Sequence, residues 1–332
     1  MRRRDFLAGV AGAAVAPLTA QAQQAANPRL AIISPFEPAV LMQAQGENRY
    51  YRALFAELAR LGHIEGKNLV VERHGREKNA TDLAALAAEV VSTKPDVVYI
   101  IGPGAKSLKD ATDKIPIVAL TGDPMAQGLI QSLARPGGNI TGVCVDTGPS
   151  IHGKRIALLR EMFPKIAKLA FLTLRTQWDG GSGPHIRDAG AAVGIDVVAA
   201  IVDPPTGEAV YREAIVQAAR DGVNAFMVSD SPDTMAHRAA IASLIGAAAM
   251  PAMYPFAEFV EQGGLMAYSY DLVELNKRAA NDIDAILRGA NPGDIPFYQA
   301  SKFELSLNLK TAKALGLAVP ETLLASADKV IE

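Results

Sequence analysis

Short β-branched runs alternate with amphipathic helical stretches, and this pattern, written twice along the chain, constrains the fold more than any other feature. Residues 30–33 read as a buried strand. The stretch that follows puts Tyr51, Leu54, Phe55, Leu58 and Leu61 on one helical face and stops at Gly62. A strand at 69–72 precedes a helix carrying Leu83, Leu86, Ala87 and Val90. Strands are then expected at 97–101 and 117–120, a helix near 105–112, and a short helix ending at Pro136-Gly137-Gly138. After 140–145 the series restarts with a helix carrying Ile156, Leu159 and Phe163, followed by strands at 169–172, 197–201, 225–228 and 252–254. Apolar strands separated by helices build parallel sheets covered on both faces, with right-handed crossovers.

The expected fold class is therefore α/β: two doubly wound, Rossmann-like lobes at about 29–145 and about 146–268. The remainder, 269–332, holds one helix at 272–287, a Gly-Ala-Asn-Pro-Gly turn at 289–293, a strand at 303–309 and a Leu-rich tail. It is too short for a third domain and is expected to pack back onto both lobes, crossing between them to make a hinge. The full length of 332 residues suits two buried cores.

Composition removes several function classes. Lys and Arg number 33 against 35 Asp and Glu, with no dense basic cluster after residue 4, so nucleic acid is not an expected partner. Cys144 is the single cysteine, which excludes an internal disulfide and any multi-thiolate metal site.

Residues 1–22 read as an export signal peptide. Arg2-Arg3-Arg4 leads a small, apolar run from Leu7 to Leu18, and Ala20-Gln21-Ala22 satisfies an A-x-A cleavage rule. Cleavage is expected after Ala22, giving a monomeric periplasmic protein. The order Arg3-Arg4-Asp5-Phe6-Leu7 also resembles the twin-arginine export motif, and the ordinary secretory route stays open. The apolar run is shorter than the roughly 20 residues a membrane span needs. Removal takes away three arginines and one aspartate, so the net charge of −2 becomes −4.

In open parallel sheets ligands bind outside the carboxyl ends of the strands, where helix N-termini and loop amides converge. Ser34 and Phe36, Gly102, Gly104 and Ala105, and Asp123 hold those positions in the first lobe. Trp178, Asp230, Tyr254 and Phe256 hold them in the second. Gly102 and Gly104 flank a helix start whose free N–H groups suit an anion or merely an ordinary turn. Asp123 suits a ligand ammonium or a helix cap. Trp178 lies in the polar stretch 176–184, read as a mobile loop at the cleft edge where the ring could stack on a ligand. Of Tyr254, Phe256, Tyr268 and Tyr270, at least two are expected in core or hinge packing.

Other motifs fail. Gly148–Lys154 has the spacing of a phosphate-binding loop, but Arg155 follows where Ser or Thr must hold magnesium. Gly102-x-Gly104-x-x-Ser107 lacks the third glycine of a dinucleotide fingerprint. The five histidines, His63, His74, His152, His185 and His237, show no zinc spacing, and Cys144 sits in an apolar strand as a small buried hydrophobe. No cofactor, metal or catalytic group is nominated.

Three blocks carry a family resemblance. Leu133-Ala134-Arg135-Pro136-Gly137-Gly138-Asn139-Ile140-Thr141-Gly142-Val143 is the first, and Phe259-Val260-Glu261-Gln262-Gly263-Gly264-Leu265-Met266-Ala267-Tyr268 the second. Lys302-Phe303-Glu304-Leu305 with Asn308 to Leu317 is the third. Together they resemble the ABC transporter substrate-binding protein family that includes tryptophan- and tyrosine-type binding proteins. The resemblance implies a type I periplasmic-binding-protein fold that closes on a small organic ligand and delivers it to an inner-membrane ABC permease driven by a separate ATPase. It further implies binding through the loop after the first strand, a Gly-Thr-Pro-Ala-like helix start and a Ser-Asp-Pro-like turn. Those positions here read Ser34-Pro35-Phe36, Gly102-Pro103-Gly104-Ala105 and Gly122-Asp123-Pro124. The helix start lacks the family's hydroxyl, and the Trp178 stretch replaces the Asn-Pro loop of the second lobe. The first departure counts against a family-type amino-acid headgroup pocket, and the second suggests a ligand different from that of the tryptophan-type members.

The leading expectation is thus solute capture of an amino acid, an aromatic acid or another small carboxylate. One alternative is an exported α/β enzyme, with Asp123, Asp230 and Glu258 as candidate acids or bases. The other is a ligand sensor that docks a membrane receptor.

Overall fold

The computed structural model describes residues 27–35, 37–75, 82–102, 104–145 and 150–332. The expected signal peptide and Phe36 lie outside the described residues.

Five parallel strands build the first lobe: β1 (Arg29–Ile33), β2 (Val70–His74), β3 (Val97–Ile101), β4 (Ile117–Thr121) and β5 (Ile140–Cys144). Their helices are α1 (Arg49–Arg60), α2 (Leu83–Thr93) and α3 (Ala105–Ala111). Local chemistry sets the limits of α1. Asn48 caps it by accepting from the Tyr50 and Tyr51 amides at 2.9 and 3.4 Å, and Gly62 ends it at φ 101°. The helix buries Tyr51, Leu54, Phe55 and Leu58. No helix forms before Pro136, contrary to the sequence expectation. One turn starts at Asp123, Gly128 takes φ 67°, and turns continue to β5. Glycine is required at Gly142 (φ 145°), where a Cβ would fall 2.1 Å from the Ala119 carbonyl oxygen of the adjacent strand.

The second lobe begins with α4 (Ser150–Met162) and β6 (Lys168–Leu174), then α5 (Arg175–Gly180), α6 (Ser182–Ala191), β7 (Asp196–Val202), α7 (Glu208–Arg220) and β8 (Ala225–Val228). It continues through α8 (Pro232–Ala236), α9 (Arg238–Ala247), β9 (Ala252–Tyr254), α10 (Ala257–Glu261) and β10 (Met266–Tyr270). The chain then returns to the first lobe. There α11 (Leu272–Leu287) packs along α1 and against β3, β4 and β5, and β11 (Tyr298–Gln299) pairs with β5. It crosses again to β12 (Phe303–Asn308), α12 (Leu309–Ala314), α13 (Glu321–Ser326) and β13 (Lys329–Ile331).

Strand order is β11-β5-β4-β3-β1-β2 in one sheet and β13-β12-β10-β9-β8-β6-β7 in the other. All pairings are parallel except β10 with β12, which is antiparallel because the chain re-enters the second sheet from the first lobe. Three segments therefore join the lobes, at 145–150, 270–272 and 299–303. The last two are tied together: the Asp271 amide donates to the Lys302 carbonyl at 2.9 Å, and Lys302 Nζ donates to Asp271 Oδ2 at 2.6 Å. The ammonium and the cap that Asp271 makes with Glu274 hold its carboxyl below the usual range, outweighing its burial.

Each lobe has a core of its own, around Ile33, Val90 and Ile117 in the first and around Ile156, Phe171 and Met266 in the second. A third apolar cluster is continuous across both, running from Tyr51, Leu54 and Ala279 to Phe256, Tyr254 and Phe226.

Candidate functional site

The carboxyl ends of both sheets carry the candidate residues. In the first lobe Ser34 is buried, its amide donating to the His74 carbonyl at 3.0 Å and its side chain beside the Tyr51 hydroxyl. Gly102 extends β3, with its amide on Leu120 at 2.8 Å and φ at 87°. Gly104 opens α3 at φ 108°, where a Cβ would meet Ile100 at 3.1 Å; Ala105 is buried behind it. Asp123 is a cap: Oδ1 accepts from the Met125 and Ala126 amides at 2.8 and 3.0 Å.

In the second lobe Trp178 departs from expectation, whereas Tyr254 and Phe256 are among the aromatics in core packing. Trp178 is not on a mobile loop. The 175–191 stretch folds into two helices, and the indole is half-buried against the lobe's own core with the Arg187 guanidinium 4.5 Å above its ring. Gly183 permits that junction, since a Cβ there would sit 1.9 Å from the Trp178 carbonyl oxygen. Tyr254 is buried and stacked on Phe259 at 5.2 Å, and Phe256 meets Tyr270 edge-on at 5.7 Å, so both serve the core beneath the strand ends.

The polar chemistry of this wall comes from α4, which sequence reading passed over. Arg155 is fully buried, and a buried cation needs partners. Its Nε donates to the Tyr268 carbonyl at 2.9 Å and Nη2 to Pro255 at 3.4 Å, while Nη1 lies 3.8 Å from Asp230 Oδ2. One turn earlier, His152 is 6% exposed and edge-on to Phe171 at 6.4 Å. Burial pushes the His152 imidazole down to about 4, with Arg155 adding to the effect and Asp230 opposing it. Ser229, 2% exposed, continues β8 by donating its amide to Leu172 at 3.0 Å. A readable signal existed: His152, Arg155 and Leu159 repeat at helical spacing, which places two polar side chains on an apolar stripe.

The lobes also meet directly. Tyr50 on α1 donates its hydroxyl to Glu258 Oε1 on α10, and Arg49 Nη2 lies 3.4 Å from the same oxygen. Burial and the Glu258 carboxylate push the Tyr50 hydroxyl well above the ordinary tyrosine range. Among the described residues, four buried polar atoms in these two regions make no hydrogen bond: Arg49 Nε, Glu258 Oε2, His152 Nδ1 and Ser229 Oγ.

The family model for "ABC transporter substrate binding protein" matches residues 39–331. The chain belongs to this family. Its members are substrate-binding proteins, not enzymes, which leaves Asp123, Asp230 and Glu258 without a catalytic assignment. This substrate-binding protein is 24% identical over 266 residues to the "Tyrosine-binding protein" of Clostridioides difficile, covering 77% of this chain and 73% of that protein. A Vibrio cholerae conserved domain protein superposes with a TM-score of 0.78 at 23% identity, over 92% of this chain and 99% of the other. An ABC domain in complex with L-Trp from Streptococcus pneumonia gives a TM-score of 0.78 at 22% identity, over 92% and 100%. The fold is the type I periplasmic-binding-protein fold.

Proposed function

We propose that this substrate-binding protein is the periplasmic solute-capture component of an ABC importer, holding a small amino-acid-like or aromatic acid ligand between its two lobes. The observation that carries this reading is the set of buried, unpartnered polar atoms at the strand ends and at the lobe contact. Each such atom costs about 1–3 kcal/mol, which a ligand bridging the lobes recovers in part. The relative named for tyrosine and the neighbour solved with L-Trp support the ligand class.

In this reading Ser34, Gly102, Gly104, Ala105 and Asp123 form the first wall, and Asp230, Ser229 and His152 the second; Phe36 is assigned to the first from its sequence position after β1 alone. Trp178, Tyr254 and Phe256 act by shaping the wall from beneath. The chain works as a monomer, is exported through residues 1–22 by the twin-arginine or the ordinary secretory route, and hands its ligand to an inner-membrane permease.

Thermal unfolding with a panel of amino acids and aromatic acids tests the ligand class, because a ligand that binds only the folded state raises its stability. At least one panel member is expected to raise the midpoint in a saturable way. No shift with any of them would overturn the class.

A further inference from the structure

We propose that His152 and Ser229 form a specificity pair that takes an uncharged hydrogen-bonding group of the ligand, such as a hydroxyl, amide or ring N–H, rather than a second formal charge. The proposal deepens the ligand reading above and rests on it.

Topology puts the two side chains on one face of the second sheet. Along β8, Ala225 and Met227 face the second-lobe core while Phe226 and Val228 face the other way, so Ser229 continues the Ala225–Met227 side. Phe171, on the neighbouring β6, faces that same side and carries His152 against its ring. Both groups therefore stand at the carboxyl edge of the sheet, at the start of α4. Both are more than nine-tenths buried, and neither Ser229 Oγ nor His152 Nδ1 has a partner among the described residues.

The formal charges beside them are already matched. Arg155 spends Nε and Nη2 on two carbonyls and faces Asp230 with Nη1. A ligand cation placed here would meet the Arg155 charge, and a ligand anion would meet Asp230. What is left over is neutral: one hydroxyl, able to donate or accept, and one imidazole nitrogen. Burial and Arg155 keep that ring uncharged at neutral pH. A site built to hydrogen-bond a group rejects the analogue that lacks it, because its own buried atoms then stay unpaired.

The test uses two probe pairs that differ by one hydroxyl, L-tyrosine with L-phenylalanine and 4-hydroxybenzoate with benzoate, in titration calorimetry. The wild type is expected to favour the hydroxylated member of the pair it binds by at least about tenfold. Ser229→Ala and His152→Leu should each bring that ratio to about threefold or less while keeping affinity for the deoxy member, which also reports that the variant is folded. His152→Asn, which retains a neutral hydrogen-bonding group, should restore most of the preference. Equal affinities in the wild type, or a ratio unchanged in both variants, would overturn the proposal and leave the ligand class standing. Absence of binding by all four probes would overturn both.

Discussion

Asp282 on α11 buries a carboxyl oxygen that makes no hydrogen bond, and burial pushes the group up to about 7 against the opposing charge of Arg278. The unfolded carboxyl titrates near the ordinary 3.8. Between those values the native state binds more protons than the unfolded chain, so stability falls as pH rises through that window. Asp282→Asn should therefore raise the unfolding free energy at pH 8 by roughly 1–3 kcal/mol and leave it unchanged near pH 3, as read by denaturant titration. His152 acts in the opposite sense. Its native value near 4 lies below the ordinary 6.5, so the unfolded chain takes up the proton first and stability drops as pH falls from about 6.5 to 4. His152→Asn should flatten that part of the stability profile by roughly 2–3 kcal/mol. Residues such as these are poorly legible in sequence. Ser34, Gly102, Asp123 and Asp230 were nominated because strand ends can be read from β-branched runs. The spacing of His152 and Arg155 on an apolar helical stripe is visible in the sequence, but what they and Ser229 face is set by the packing of α4 on the second sheet, which periodicity does not encode.

Elements were more readable than sites. Runs such as Val97–Ile101 and Ile117–Thr121 announce buried parallel strands, and the apolar face of α1 announces where it packs. The failures are local and physical. Gly128 cuts short the helix expected before Pro136, and Gly181 and Gly183, in a stretch read as flexible, instead allow α5 and α6 to meet at close range. Trp178 lies half-buried beside that contact. The antiparallel direction of β12 depends on a passage through the other lobe and has no local signature. Gly142 belongs to this scale, because β4 and β5 can approach only without a Cβ between them. Gly142→Val is predicted to cost about 3 kcal/mol or more, from strand separation and a positive φ together, measured as a loss of soluble yield and a lowered unfolding midpoint.

At the scale of the whole molecule, three chain crossings, an apolar cluster shared by both lobes, and the contact of Arg49 and Tyr50 with Glu258 set how the lobes sit. Removing the Tyr50 hydroxyl deletes one cross-lobe hydrogen bond, worth about 1 kcal/mol and more where the acceptor is charged. Tyr50→Phe is accordingly expected to raise the open population of ligand-free protein about fivefold or more, seen as a larger radius of gyration in small-angle scattering. The central claim is that ligand is captured between lobes that close on it. Spin labels at Val40 on the first lobe and Asp179 on the second, with Cys144 buried away from the labelling reagent, report that distance directly by pulsed electron resonance. Titration with whichever panel compound raises the unfolding midpoint is predicted to shift the distribution to one shorter, narrower distance in step with occupancy. A distribution that stays unchanged at full occupancy would contradict the account.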